Sequence, residues 1–596
     1  MRLYRSSAMA VALVLIPAIS RAQTIRYEVS ISDAAAHLFH VKAEFPTTGL
    51  DTLRVALPAW SPGNYEIQNY ARFLRHFTMR DATGKALFWD RLDKDTWRAG
   101  TAKSSTVTIE FDYQADTIDL SQARLLSDFG QFLGTNLFLY QVGHLDRAAE
   151  VHFALPAGWD VMTALARSGD AYKAADYHEL ADAETFVGHF TRDSISVDGK
   201  WIRIAFWPSA DYTPAAAKYL KDGVGRQAAT QNKLMGGAPY DVYTIFFNII
   251  HEPISYGGGL EHAASQYDML PTEMYVDASG TFGSFVRPLT AHEFFHLWNV
   301  KRIRPAEMWP YDYRAEQYTP LLWWSEGVTD YYGDLTDLRA GLWTDPDWLA
   351  NTQSNVDQVE QIPEPWSEED GSIATWINEV YDNSSQMYYP KGSLTGLLLD
   401  ISIRDATDNK HSLDEVTRDL YTRFYKQGKG FRTADLLGLF TEAGMPDING
   451  FYQSYVNGRD PLPYEQILPK AGIAVQRTSQ TSVFLGVSFA GGPSVLGGVV
   501  DGGPAQVAGL QAGDTLVSVG DITVAPDQDW APTFRSHYAG KTGPVPVVVR
   551  RNGQTMTVNV TPGQRTVKRV QLSRMANPTP KATRIWKGIA TGTVDK

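Results

Sequence analysis

Short alternating runs of apolar and polar residues fill the first third of the chain. Ile25-Arg26-Tyr27-Glu28-Val29 and Ser105-Thr106-Val107-Thr108-Ile109-Glu110-Phe111 are examples, and Gly, Pro and Asp turns separate such runs as far as about Lys200. A period of two turns one face of a strand inward and the other outward, so residues 23–200 read as a β-rich domain. The pattern then changes. Thr213-Pro214 is an N-cap followed by proline at the first helical position, which opens a helix toward Met235, and Val242 to Ile250 reads as a buried strand. A second helical block spans Gly392 to about Val456, where Ser412 and Glu415 have the spacing of a capping box ahead of Leu420 and Phe424. Residues 201–472 therefore read as a mixed α/β and helical domain. Short Val-rich strands and many glycines follow over 473–567. Residues 568–596 carry Lys568, Arg569, Arg574, Lys581, Arg584 and Lys587 spread among Pro, Thr and Ala, the composition of a basic, solvated tail. The expected fold class is multidomain α+β.

At 596 residues the chain exceeds what one core can organise, and domain-size statistics ask for three or four domains. A net charge of −13 argues against nucleic acid, because phosphate binding needs a concentrated basic surface. Cysteine is absent, so a metal must be held by His and carboxylate, and no thiol nucleophile exists. Arg2 and Arg5 precede an apolar run from Ala8 to Ile19 and then Ser20-Arg21-Ala22, the order of an export signal. The run falls short of the roughly 20 residues that span a bilayer. Residues 1–22 are thus expected to be a cleaved signal peptide, with the mature chain exported to the periplasm or beyond and without a stable membrane span.

His292-Glu293-Phe294-Phe295-His296 puts two imidazoles at i and i+4 on one helix face, where both reach one ion, with Glu293 beside them. A hydrolytic zinc site needs a third protein ligand and an open position. Trp324-Ser325-Glu326-Gly327-Val328-Thr329-Asp330 offers Glu326, and Asp330 one turn on is placed to accept the free N–H of His292. Such an ion lowers the pKa of water from about 16 to about 7, and Glu293 is the candidate general base. Zinc is the expected metal, with manganese or cobalt able to substitute in N/O ligation. The other histidines, among them His144, His251 and His262, lack the spacing for a second metal.

The run from His292 through Asn299-Val300-Lys301-Arg302 to Pro305, with Glu326-Gly327-Val328-Thr329-Asp330-Tyr331-Tyr332, resembles the glycyl aminopeptidase family M61 of gluzincin metallopeptidases. The resemblance implies a thermolysin-like catalytic domain and the ligand set His292, His296 and Glu326. Gly257-Gly258-Gly259-Leu260-Glu261-His262 is similar to the exopeptidase motif of the related alanyl-type aminopeptidases. This implies that Gly258 and Gly259 line the substrate backbone and that Glu261 anchors its free amine. Tyr388-Tyr389-Pro390-Lys391-Gly392 resembles the segment supplying their transition-state tyrosine, which points to Tyr389, with Tyr388 as the alternative. Pro58-Ala59-Trp60-Ser61-Pro62-Gly63-Asn64-Tyr65 resembles a turn of the family's N-terminal domain and reads as scaffold. Phe484-Leu485-Gly486-Val487 with Gly503-Pro504-Ala505 through Gly513-Asp514 looks like a PDZ domain. There Leu485, Gly486 and Val487 face a groove for a C-terminal peptide, opposite a helix near Trp530 to His537; packing on the rest of the chain is the other duty open to it.

The function expected is that of a zinc aminopeptidase acting on peptides with a free N-terminus, with the preference for Gly or Ala implied by the family resemblance. Two other readings are a zinc endopeptidase, which would accept N-acetylated peptides, and a PDZ scaffold with a vestigial site. Against the scaffold, His292, Glu293, His296 and Glu326 are all present.

Overall fold

The computed structural model describes residues 24–254, 256–277, 279–362, 366–377, 384–489, 493–525 and 529–595. The expected signal peptide, residues 1–22, lies outside them. The fold is multidomain α+β and divides into two compact units, residues 473–574 and the remainder.

The N-terminal part is built of sheets, as its alternation requires. The largest has seven strands, with Ile25–Asp33 at its centre, parallel to Ala149–Ala154 and antiparallel to Leu38–Pro46. A second, four-stranded sheet contains Phe129–Leu133 and Glu184–Gly188. The strand Thr191–Val197 does not belong to these sheets, although the sequence reading put it in the N-terminal domain. A hairpin turn at Asp198-Gly199 folds it onto Lys200–Trp207, and the two open the catalytic sheet. Here the alternation continues while the partner changes.

That catalytic sheet has five strands, in the order Thr191–Val197, Lys200–Trp207, Val242–Ile250, Ser265–Pro271 and Gly258–Glu261. The three central strands run parallel. Between the first two of them the chain crosses over through the helix Pro214–Met235. The Thr213 hydroxyl accepts from the Ala216 N–H at 3.2 Å, and Gly236 in the left-handed conformation ends the helix. Gly258–Glu261 pairs antiparallel with Ser265–Pro271 and forms the sheet edge. Aromatic packing ties the N-terminal and catalytic sheets together. Phe129 stacks on Trp207 at 4.4 Å, and Phe186 meets Phe246 at 4.9 Å. Phe129, Phe186 and Phe246 are buried and Trp207 half-buried, so close packing of large rings holds the β domain rigidly beside this sheet.

Two expectations are corrected. The helix Leu413–Arg423 begins after Ser412, but the Ser412 side chain caps nothing; Asp400 accepts from the Leu413 N–H at 3.0 Å, and Glu415 turns to His411 instead. A buried tertiary acceptor has replaced the local box. Residues 568–596 are also no solvated tail. The strand Gly563–Arg574 pairs with Ile473–Phe484 along its whole length, and Pro580–Thr591 is a helix in the larger unit. Its Ala582, Ile585 and Ile589 are buried, Trp586 packs 4.8 Å from Trp348, and Lys581 reaches Asp405 at 2.7 Å. The Thr579-Pro580 cap and apolar positions at helical spacing outweigh the scattered charges.

In the smaller unit, Val487–Phe489 pairs with Leu496–Val499 alone among the described residues. Phe489 meets Trp530, the residue before the helix Ala531–His537, at 6.0 Å. Gly486 has φ +78° in the turn before that strand.

Candidate active site

The helix Val286–Phe295 lies under the catalytic sheet and carries His292 and Glu293, with His296 at its C-terminal end. The i, i+4 spacing brings the two imidazoles together, their Nε2 atoms 2.8 Å apart. Glu326 comes from a π turn, Trp323–Gly327, which leads into the helix Val328–Arg339. Such single-turn bulges recur at functional sites. Glu326 Oε2 lies 3.2 Å from His296 Nε2 and 3.7 Å from His292 Nε2.

His296 Nδ1 is 2.6 Å from the Asn299 carbonyl oxygen, and His292 Nδ1 is 2.7 Å from Asp330 Oδ1. Each Nδ1 thus lies beside an oxygen, and the two Nε2 atoms turn toward one point shared with Glu326 Oε2. Two ring nitrogens 2.8 Å apart share either a proton or a metal ion. Ligands about 2.05 Å from a tetrahedral zinc stand roughly 3.3 Å apart, which brackets well with the separations of 2.8, 3.2 and 3.7 Å. The donor set fits the metal.

Asn299 also joins the two ligand segments, donating through Nδ2 to the Trp324 carbonyl at 2.8 Å. This explains the extent of the motif beyond the histidines. Lys301, two residues on, is buried against Asp182 of the β domain at 2.8 Å and so ties the motif to that domain.

Glu293 is buried, and its Oε2 has no hydrogen-bond partner among the described residues. Gly259 of the edge strand crosses directly over it: a Cβ there would fall 2.3 Å from Glu293 Cγ, so only glycine fits. Glu261, two residues along, is buried with Oε1 unpartnered, and its carboxylate, that of Glu293 and a His296 ring nitrogen lie within 4.8 Å of one another. Burial pushes Glu261 above the usual carboxyl range, with His296 and Lys301 opposing, and pushes Glu293 well above it, with His292 opposing. Glu326 differs: against its burial, the His296 and His292 rings hold it well below that range. The pocket therefore concentrates acceptors with few buried cations to match.

Tyr389 precedes the helix Pro390–Ala406, with its ring 6.0 Å from that of His292. Burial, with Glu326 next, pushes its hydroxyl well above 10, so it remains a donor at neutral pH. Tyr388 has its hydroxyl engaged 2.9 Å from Thr375 Oγ1. Tyr389 lines a cleft of about 500 Å³ with Tyr65, Gly259 and Leu120.

The sequence reading missed part of the site. Tyr65 donates its hydroxyl to Glu326 Oε1 at 2.6 Å, and Gly63 sits against the Glu261 carboxylate. The Trp60–Tyr65 segment, read as scaffold, is thus part of the catalytic wall. No local signal could have found this, since Tyr65 and Glu326 meet across 261 residues of sequence.

Comparisons with known proteins bear on the family and the fold. The family model for the Peptidase M61 N-terminal domain matches residues 26–189, that for M61 glycyl aminopeptidase residues 286–395, and that for a PDZ domain residues 471–561. A comparison with curated protein sequences returned no match. Among solved structures, an aminopeptidase N family protein from Idiomarina loihiensis is 23% identical with a TM-score of 0.82, over 94% of this chain and 100% of that one. At that identity the likeness concerns the fold. An M1 zinc metallopeptidase from Deinococcus radiodurans is 12% identical with a TM-score of 0.47, over 74% of this chain and 95% of that one.

Proposed function

We propose that this chain, a metallopeptidase of the M61 family with a PDZ domain, is an exported zinc aminopeptidase that removes small N-terminal residues such as Gly or Ala from peptides. The observation that carries the reading is the convergence of two imidazole Nε2 atoms and the Glu326 carboxylate, with Glu293 and Glu261 beside them. His292, His296 and Glu326 would hold the ion, and bound Zn²⁺ supplies Lewis acidity, activating water and polarising the scissile carbonyl. Glu293 takes the proton of the attacking water and returns it to the leaving amine. Asp330 and Asn299 fix the imidazole orientations. Glu261 pairs with the substrate's free ammonium, and the open side of the Gly258–Glu261 edge aligns the peptide backbone. Tyr389 donates to the developing oxyanion.

Export rests on the Arg2, Arg5 and Ala8–Ile19 pattern. Among the described residues no helix is long and apolar enough to cross a membrane. The test is hydrolysis of Gly-, Ala- and Leu-nitroanilides by the purified chain, with its zinc content measured alongside. Stoichiometric zinc, turnover abolished by a chelator and restored by Zn²⁺, and loss of turnover in Glu293→Gln are expected. Turnover indifferent to the chelator would refute the reading.

A further inference from the structure

The segment Ala59–Tyr65 is clamped along its length. The Ala59 N–H donates to the Tyr313 carbonyl at 2.7 Å, and Trp60 Nε1 to the Asp312 carbonyl at 2.8 Å. Ser61 Oγ lies 2.6 Å from the hydroxyls of both Tyr70 and Thr135, and Asn64 Nδ2 donates to Ser121 Oγ at 2.7 Å. The Pro62 carbonyl accepts from Lys301 Nζ at 3.4 Å. Tyr65 then leaves this clamp with its ring edge-on to Trp376 at 6.1 Å and its hydroxyl on Glu326. A turn needing only to reverse the chain would not require a buried anchor at nearly every residue. Preorganisation of this kind fixes whatever the segment presents.

What it presents is a donor to the carboxylate oxygen that does not face the histidines. Glu326 has two oxygens; Oε2 points at both Nε2 atoms, and Oε1 accepts from Tyr65 at 2.6 Å. A glutamate on a π turn has three rotatable side-chain bonds, and one hydrogen bond to Oε1 removes the rotation that would exchange its oxygens. We propose that Tyr65 of the β domain is a positioning residue of the metal centre, holding Glu326 as a single-oxygen ligand and making metal affinity depend on that domain. This rests on the reading of Glu326 as the third ligand. The metal site is thereby completed from outside the zinc-motif domain.

The test uses the full chain and its Tyr65→Phe variant, which keeps the ring and removes the hydroxyl. Zn²⁺ affinity is measured by competition with a chromophoric chelator, and the visible spectrum of the Co²⁺-substituted protein is recorded. Tyr70→Phe, which removes one of the two hydroxyls at Ser61, leaves Thr135 to hold the clamp and does not touch Glu326, is the control. The expected result is Zn²⁺ affinity weakened about 10- to 100-fold in Tyr65→Phe, with an altered Co²⁺ spectrum, and neither change in Tyr70→Phe. Equal weakening in Tyr70→Phe, or unchanged affinity and spectrum in Tyr65→Phe, overturns the proposal and leaves the metallopeptidase reading standing. Loss of turnover with affinity and spectrum intact assigns Tyr65 to the reacting carbonyl, which also overturns it. A native chain that takes up no stoichiometric zinc would overturn the ligand assignment itself.

Discussion

Gly63 is an exacting position in the catalytic wall. A Cβ built there falls 2.4 Å from Glu261 Oε2 and 2.7 Å from its Cδ and Oε1. Ordinary contact needs about 3.5 Å, so Gly63→Ala must displace the Glu261 carboxylate by about 1 Å. The residue also sits at φ +110°, where an L side chain is strained by about 1–3 kcal/mol. If Glu261 anchors the substrate amine, a displacement of that size costs about 10²-fold in kcat/KM. The assay is kcat/KM for Ala-nitroanilide, with Zn²⁺ content and thermal unfolding recorded in parallel. Glu261→Asp withdraws the carboxylate by one methylene, so the double variant is expected to be more stable than the sum of the single effects predicts. Activity of Gly63→Ala within twofold of the native chain, at equal stability, would refute the claim that this contact sets the amine site.

Other parts of the account are checked separately. Asp182→Asn leaves the buried Lys301 ammonium without its partner and is expected to cost about 3–5 kcal/mol at pH 7. Burial favours the neutral Asp182, but Lys301 and then His262 hold it below the usual range, so its stabilisation is complete above about pH 4 and fades as pH falls further. Denaturant melts of the two proteins should therefore converge below pH 4, and a constant gap would contradict the ion pair's role. Tyr389→Phe should lower kcat about 10²- to 10³-fold with KM little changed, whereas Tyr388→Phe, whose hydroxyl serves Thr375, should leave kcat near native; the reverse order would exchange their roles. Ile585→Ala, in the C-terminal helix, should destabilise the larger unit by about 2–5 kcal/mol, and a loss under about 0.5 kcal/mol would mean that the helix does not hold its place in solution.

What could be read from the chain follows the range of the interactions involved. His292, Glu293 and His296 stand at helical spacing in five consecutive residues, and Thr213-Pro214 and Gly236 mark a helix by local capping chemistry. The parallel sheet follows, since a helix between two buried strands implies a crossover. The catalytic wall lies beyond such reading, because Gly63 and Tyr65 act on Glu261 and Glu326 only after the β domain docks through Phe129, Phe186 and Trp207. The π turn at Trp323–Gly327 has no sequence signature of its own. The C-terminal helix is legible in principle: Thr579-Pro580 with Ala582, Ile585 and Ile589 is a cap followed by an apolar stripe, which the scattered Lys and Arg residues obscure. At Ser412 the local signal was present, and a buried carboxylate at Asp400 took its place.

The central claim is that Glu261 selects a free amine beside a metal held by His292, His296 and Glu326. Its most direct measurement is the ratio of kcat/KM for Ala-nitroanilide to that for N-acetyl-Ala-nitroanilide, taken with the zinc-loaded full chain. Cleavage of the free amine and a loss of at least about 10³-fold on acetylation are expected, since the buried Glu261 carboxylate would be left unpaired. Equal cleavage of both substrates would contradict it and describe an endopeptidase.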